Sequence, residues 1–183
     1  MGSGVSILRC DSVGHFERVG GTACGGATFL GLSRLLTGEG NFLKLLAMAA
    51  EGNASAVDKT VGDLYGPKGC DDLGMPERLT AANFGKLSKR PEVNPSPSDL
   101  TRPVLEMVAQ ASVLQAKAHA TYIGCIERVF FVGGFLEGNA IARAAISRSM
   151  GNLGGTAFFC KHSDFLGALG SLPQSLQKSW AAT

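Results

Sequence analysis

Glycine sets the first limit on how this chain can fold. It gathers at three places, each beside an apolar run: GSGVS at residues 2–6, GGTACGGATF at 20–29 and VGG at 132–134. Glycine takes backbone conformations that other residues resist, and it lets main chain approach main chain or a ligand with no Cβ between. The chain is read as opening inside such a motif, with a Gly2-Ser3-Gly4 turn feeding a strand through Val5, Ile7 and Leu8. A second strand is predicted at residues 16–19, with the hairpin turn at 11–14. The glycine-rich segment then opens an amphipathic helix through Phe29, Leu32, Leu35 and Leu36, stopped by Gly38. Residues 41–51 predict another helix, with Phe42, Leu45, Leu46 and Ala49 on one face. A third is expected after a cap at Asn53 or Ser55, running through Val57, Val61 and Leu64.

Residues 66–76 read as turns and 86–98 as a polar loop, the latter with Pro91, Pro95 and Pro97. The longest helix is predicted over about residues 101–123, with Val104, Val108, Ala111, Leu114, Ala118 and Tyr122 along one stripe and Pro103 in the first turn. RVFFV at 128–132 predicts a strand buried on both faces. A helix through Ile141, Ala145 and Ile146, a strand at 156–160 and a short helix at 164–172 follow, and the tail at 173–183 is expected to fray. This order predicts an α/β lobe with one mixed sheet flanked by helices, an antiparallel hairpin beside parallel strands.

Each glycine segment is a candidate for anion contact. In the first, backbone N–H groups with Ser3 and Ser6 can face phosphate oxygens, the alternative being a plain hairpin turn. The second runs into a helix N-terminus, where donors and partial positive charge favour a phosphate, and Arg18 just before it adds a bidentate group. Its alternative is a packing turn with Arg18 solvated. The third, around Gly133, closes a strand at the edge where open α/β sheets gather ligands, or is simply a tight turn. No P-loop or complete dinucleotide fingerprint is present. His15, His119 and His162 have no metal-like spacing, and His119 is expected at a surface or edge. Asp58, Asp63, Asp71, Asp72 and Asp99 read as surface carboxylates, so no metal ligands and no general base are identified.

Bulk composition excludes several classes. A net charge of +2 without basic clusters argues against a nucleic-acid surface, and Lys86, Lys89 and Arg90 read as a solvated loop. The 5 cysteines contain no C-x-x-C pair, which fits a reducing compartment. No apolar run reaches about 18 residues, so no membrane span is expected. The first residues carry no secretory pattern, and a cytosolic (cytoplasmic) location is expected.

Taken in order, several motifs resemble the type II, eukaryotic-type pantothenate kinases. They are GSGVSIL, an Arg 12 residues after Ser6, GTACGGATFLGLSRLLTG, VDKTVGDLYG, AANFGK, RVFFVGGFLEGN and FLGALGSL. The similarity runs over residues 2–172. It implies the C-terminal lobe, residues 1–172, of an actin/Hsp70-like (ribonuclease H-like) kinase fold. It also implies ATP-dependent phosphorylation of pantothenate to 4'-phosphopantothenate, the first step toward coenzyme A. Mg2+ would be held mainly through the nucleotide, and acyl-CoA would act as an inhibitor in the same cleft.

Carried over by motif, Ser3, Ser6 and Arg18 contact nucleotide or CoA. Gly25, Gly26, Gly133 and Phe135 approach phosphate and adenosine, and Tyr65 lies on the pantothenate side. The family's D-I-G-G-T phosphate loop and catalytic glutamate are upstream of these motifs, so no catalytic residue is assigned within this chain. A second tyrosine is missing from residues 67–72, a tryptophan is replaced near Met150, and E-G-Y-F-G becomes Ser163-Asp164-Phe165-Leu166-Gly167. The resemblance further implies a homodimer, with the N-terminal lobe either a separate subunit or the preceding part of a longer protein of which this chain is a fragment. The alternative reading is a non-catalytic, CoA-thioester-binding regulatory subunit.

Overall fold

The computed structural model describes residues 1–12, 14–88, 94–163 and 165–171. The predicted tail at 173–183, the basic pair Lys89 and Arg90, and the ends of the last predicted helix at 164 and 172 lie outside the described residues. The chain divides into two compact units: residues 1–27 with 111–183, and residues 28–110.

In the first unit, β1 (Val5–Ser12) and β2 (His15–Thr22) form an antiparallel hairpin. The second strand is longer than predicted, because Gly20, Gly21 and Thr22 extend it where a turn was expected. Helix α1 (Gly26–Thr37) follows, and Gly38, with φ of 78°, ends it by donating its N–H to Arg34 O at 2.8 Å.

In the second unit, α2 (Phe42–Glu51) is capped by the Asn41 side chain, which accepts from Lys44 N–H. Leu45 and Ala49 are fully buried, and Phe29 meets Phe42 edge-on with ring centres 5.8 Å apart. The predicted third helix is instead three pieces. A single 3-10 turn (Ala54–Ala56) leads into β3 (Lys59–Thr60) and then α3 (Val61–Tyr65). The break follows from local hydrogen bonding, since Thr60 and Asp63 form a capping box that starts a new helix. Strand β4 (Thr80–Ala82) pairs antiparallel with β3.

The long helix α4 (Pro97–Ile123) begins earlier than predicted, so Pro103 falls in its second turn and removes one intrahelical bond. Ser96 starts it: its Oγ accepts from Asp99 N–H at 3.1 Å and donates to Asp99 Oδ2 at 2.7 Å. Val104, Leu105, Val108 and Ala109 are buried in the second unit, and Val113 and Ala120 in the first. The stripe predicted farther along does not face inward: Leu114 is 52% and Tyr122 92% exposed. On α1, Leu35 and Leu36 are likewise exposed.

The first unit closes with β5 (Val129–Phe131), α5 (Ala140–Asn152), β6 (Ala157–Phe159) and α6 (Leu166–Gly170). Strands β5 and β6 are parallel. Phe131 is buried, with Phe159 beside it and the Arg143 guanidinium over the Phe159 ring, but Phe130 is exposed. The strand is therefore covered on one face rather than two. The mixed α/β content is as expected, but the single mixed sheet is not formed. Three separate two-stranded sheets are, because no described strand pairs with both the hairpin and β5. Among the described residues, no helix is long and apolar enough to cross a membrane.

Candidate functional site

The site is built on the hairpin. Pairing runs Val5 to Thr22, Ser6 to Gly21 and Ile7 to Gly20, then steps to Leu8 opposite Arg18, leaving Val19 as an extra residue in a bulge. That one residue decides where the charge points. In an unbulged ladder Arg18 would oppose Arg9 on the other face, because side chains alternate. With the bulge, Arg18 shares a face with Ser6 and Leu8, and its Nε donates to Ser6 Oγ at 3.1 Å.

The face is open. Leu8 is 58% exposed and Phe16, opposite Cys10, is 69% exposed. Gly20 and Gly21 serve opposite faces. A Cβ on Gly21 would lie 3.0 Å from an Arg18 terminal nitrogen, whereas one on Gly20 would overlap the His119 ring, 2.6 Å from its Cε1. His119 is therefore packed against the hairpin and not a plain surface residue.

The three glycine segments converge beside it. Gly26 donates its N–H to Gly2 O at 2.8 Å, and Ala27 donates to Ser3 O at 3.0 Å. Two donors of the α1 N-terminus are thus used by the Gly2–Gly4 turn, so the helix end presents fewer donors to a ligand than its position suggests. Gly25 is buried against that turn: a Cβ there would be 2.6 Å from both Gly4 Cα and Ser3 O. Gly133 has φ of 116° and ψ of 165°, a region open almost only to glycine. The main chain of Met1 runs across it and accepts the Phe135 N–H at 3.3 Å. The Phe135 ring is buried under Gly26, so this side chain supports the glycine platform from beneath.

Ser3, Gly25, Gly26, Gly133 and Phe135 are thus packed together through residues 1–4, and Ser6 and Arg18 form a pair on the hairpin of the same unit. Tyr65 lies in the second unit, at the end of α3, and is 58% exposed.

The second unit holds a polar cavity of about 470 Å³ lined by Asp58, Thr60, Lys86, Arg102 and Glu106 among others. Asp58 was expected on the surface but is 1% exposed. Its Oδ1 accepts the Phe84 N–H at 2.7 Å and its Oδ2 the Asn83 amide at 3.3 Å. Burial raises its carboxyl pKa above the usual value, with those two donors opposing the shift. Phe84 sits at φ of 55°, so Asp58 holds a turn that a side-chain-bearing residue rarely adopts. Asp63 is the reverse case: the Thr60 backbone N–H and the Lys86 ammonium, 3.0 Å away, hold its pKa down. No spacing rule joins Asp58 to Asn83, and only folding brings them together. Among the described residues, no group of three or more His, Cys, Asp or Glu is arranged to hold a metal ion.

Comparison with known proteins agrees with the motifs. A family model described as Fumble matches residues 1–174. An Arabidopsis thaliana protein named Pantothenate kinase 2 is 38% identical over 178 residues, and another named Pantothenate kinase 1 is 37% identical over 178. A mouse protein named 4'-phosphopantetheine phosphatase is 35% identical over 178 residues. Each alignment covers 93% of this chain but only 19%, 46% and 21% of the respective relative.

Proposed function

This chain belongs to the Fumble family, and from that premise we propose that it supplies the nucleotide-side lobe of a pantothenate kinase of actin/Hsp70-like fold. The observation that carries the reading is the Arg18–Ser6 pair on an open strand face beside the glycine platform. Arg18 commits its Nε–H to Ser6, and its two terminal amino groups lie on the exposed face, placed to meet phosphate oxygens of ATP or of acyl-CoA. Phosphoryl transfer needs positioning and charge neutralisation above all, and these are what the pair and the platform provide. Mg2+ would enter with the nucleotide, bound mainly through its phosphates. The acceptor is pantothenate, with Tyr65 on its side of the assembly, and the base that accepts its hydroxyl proton belongs to an N-terminal lobe.

Arg18→Ala is expected to weaken binding of ATP or CoA by about 1.5–3 kcal/mol, the usual worth of a charged hydrogen bond. Arg9→Ala should leave it unchanged, because Arg9 is tied to Asp11 at 2.7 Å near the hairpin tip. Equal affinities of wild type and Arg18→Ala by calorimetry would return Arg18 to a solvated role.

The proposed assembly is a homodimer. Leu114 and Tyr122 sit eight residues apart on α4, two helical turns and a little more, and both are exposed, as is Leu35 at 80%. Self-association burying more than about 1,000 Å² is expected. A sharp monomer in light scattering at micromolar concentration would count against it.

A second reading is a CoA-thioester-binding regulatory subunit without catalysis. It is favoured by the substrate-side departures from the family pattern, the second tyrosine missing from residues 67–72 and the tryptophan replaced near Met150.

A further inference from the structure

We propose that His119 is a positioning residue: it buttresses β2 at the bulge and so aims Arg18 at Ser6. A bulge is the weak point of a strand pair, since its extra residue has no partner and the ladder is interrupted there. The backbone at residues 18–20 must then be fixed by whatever packs against it. On the inner face that is the His119 imidazole, which fills the space a Cβ on Gly20 would need. On the outer face the Arg18 guanidinium lies against Gly21 and reaches Ser6 Oγ at 3.1 Å. Two adjacent glycines thus sit between a ring on one side and a cation on the other. The ring comes from α4, more than ninety positions away in sequence, so the aim of the arginine is set by tertiary packing and not by the hairpin alone. In chemical terms, an exposed arginine held by one bond to a serine hydroxyl would otherwise sample many rotamers. A rigid strand beneath it removes that freedom before a phosphate arrives.

The importance of this arrangement for binding rests on the reading of Arg18 as a phosphate contact, and the test separates the two. Nitrogen-15 spectra of the 183-residue chain report the Arg18 Nε–H directly, with the signal assigned by Arg18→Lys. His119→Ala is expected to speed exchange of that proton by about fivefold to tenfold, the effect of losing one modest hydrogen bond. Gly20→Ala, which displaces the ring from the strand side, should do the same. His119→Phe, a flat filler of similar size, should restore slow exchange, which a general loss of folding would not allow. The Arg9 Nε–H, bonded to Asp11 at 2.7 Å, should stay unchanged in all variants. If His119→Ala and Gly20→Ala both leave the Arg18 signal as in wild type, the proposal is overturned. If the Arg18 signal obeys His119, but neither ATP nor coenzyme A shifts it in the wild-type chain, the positioning role stands and the phosphate reading of Arg18 falls.

Discussion

The 183-residue chain, purified and supplied with MgATP and radiolabelled pantothenate, is expected to release no phosphorylated product above background. The residues that share the face of Arg18 are Ser6, Leu8, Cys10, Phe16 and Gly21. They offer donors, a thiol and apolar surface, and no carboxylate to accept the hydroxyl proton. Absence of a general base alone costs about 10²–10⁴ in rate. A ligand seated on one wall keeps much of its surface in water, and loss of precise positioning costs more still. The two losses act together, which takes turnover below detection. Mixing the chain with the N-terminal portion of a family member should restore product if the kinase reading is right, and should not if the chain only binds CoA thioesters. Turnover by the chain alone, surviving repurification, would show that the catalytic group lies within it.

The second large effect is expected at Asp58. Asp58→Ala removes the acceptor for the Phe84 N–H and the Asn83 amide. Hydrogen bonds to a charged group are worth about 1.5–3 kcal/mol. In a chain of this size each kcal/mol shifts Tm by about 2–4 °C, so a fall of about 3–12 °C is expected on the same scale. The pH dependence has a definite sign. Burial raises the folded pKa of Asp58 above the unfolded value of about 3.9. The stability linked to that shift is present in full below the unfolded value and is lost as pH rises through the folded one. Asp58→Asn cannot titrate, so its stability relative to wild type should improve as pH rises through that window. A melting difference between Asp58→Asn and wild type that stays flat across the acidic range would contradict this account.

The parts legible in the sequence were those set by local chemistry. The hairpin followed from its turn residues and the stop of α1 from Gly38, whereas Asn41, read as the first residue of the next helix, is its cap. The anion-contact candidates Ser3, Ser6, Arg18 and Gly133 were nominated from the glycine segments, and Gly25, Gly26, Phe135 and Tyr65 from the family resemblance; folding packs the glycine segments and Phe135 together and pairs Arg18 with Ser6. What stayed hidden depended on partners distant in the chain. Val57 and Val61 share helical spacing, yet the Thr60–Asp63 capping box restarts the chain between them. Leu114 and Tyr122 have the period of a buried stripe, and periodicity does not say whether anything lies opposite. Asp58 looked like any surface carboxylate until Asn83 and Phe84 came round to meet it. The bulge was equally invisible, since Val19 is an ordinary strand residue and only the pairing with β1 marks it as supernumerary.

That supernumerary residue works like a parity bit. Each strand position carries a binary value, inner or outer, and Val19 inverts the count between Gly20 and Arg18. Substitutions along β2 edit the message one character at a time, leaving its framing intact. Insertion or loss of a single residue on the β1 side of the same step would reverse the reading of everything beyond it. Arg18 would keep its identity and its charge, yet deliver both to the side where the imidazole sits. In this hairpin, then, the spacing is as much a part of the binding instruction as the arginine is.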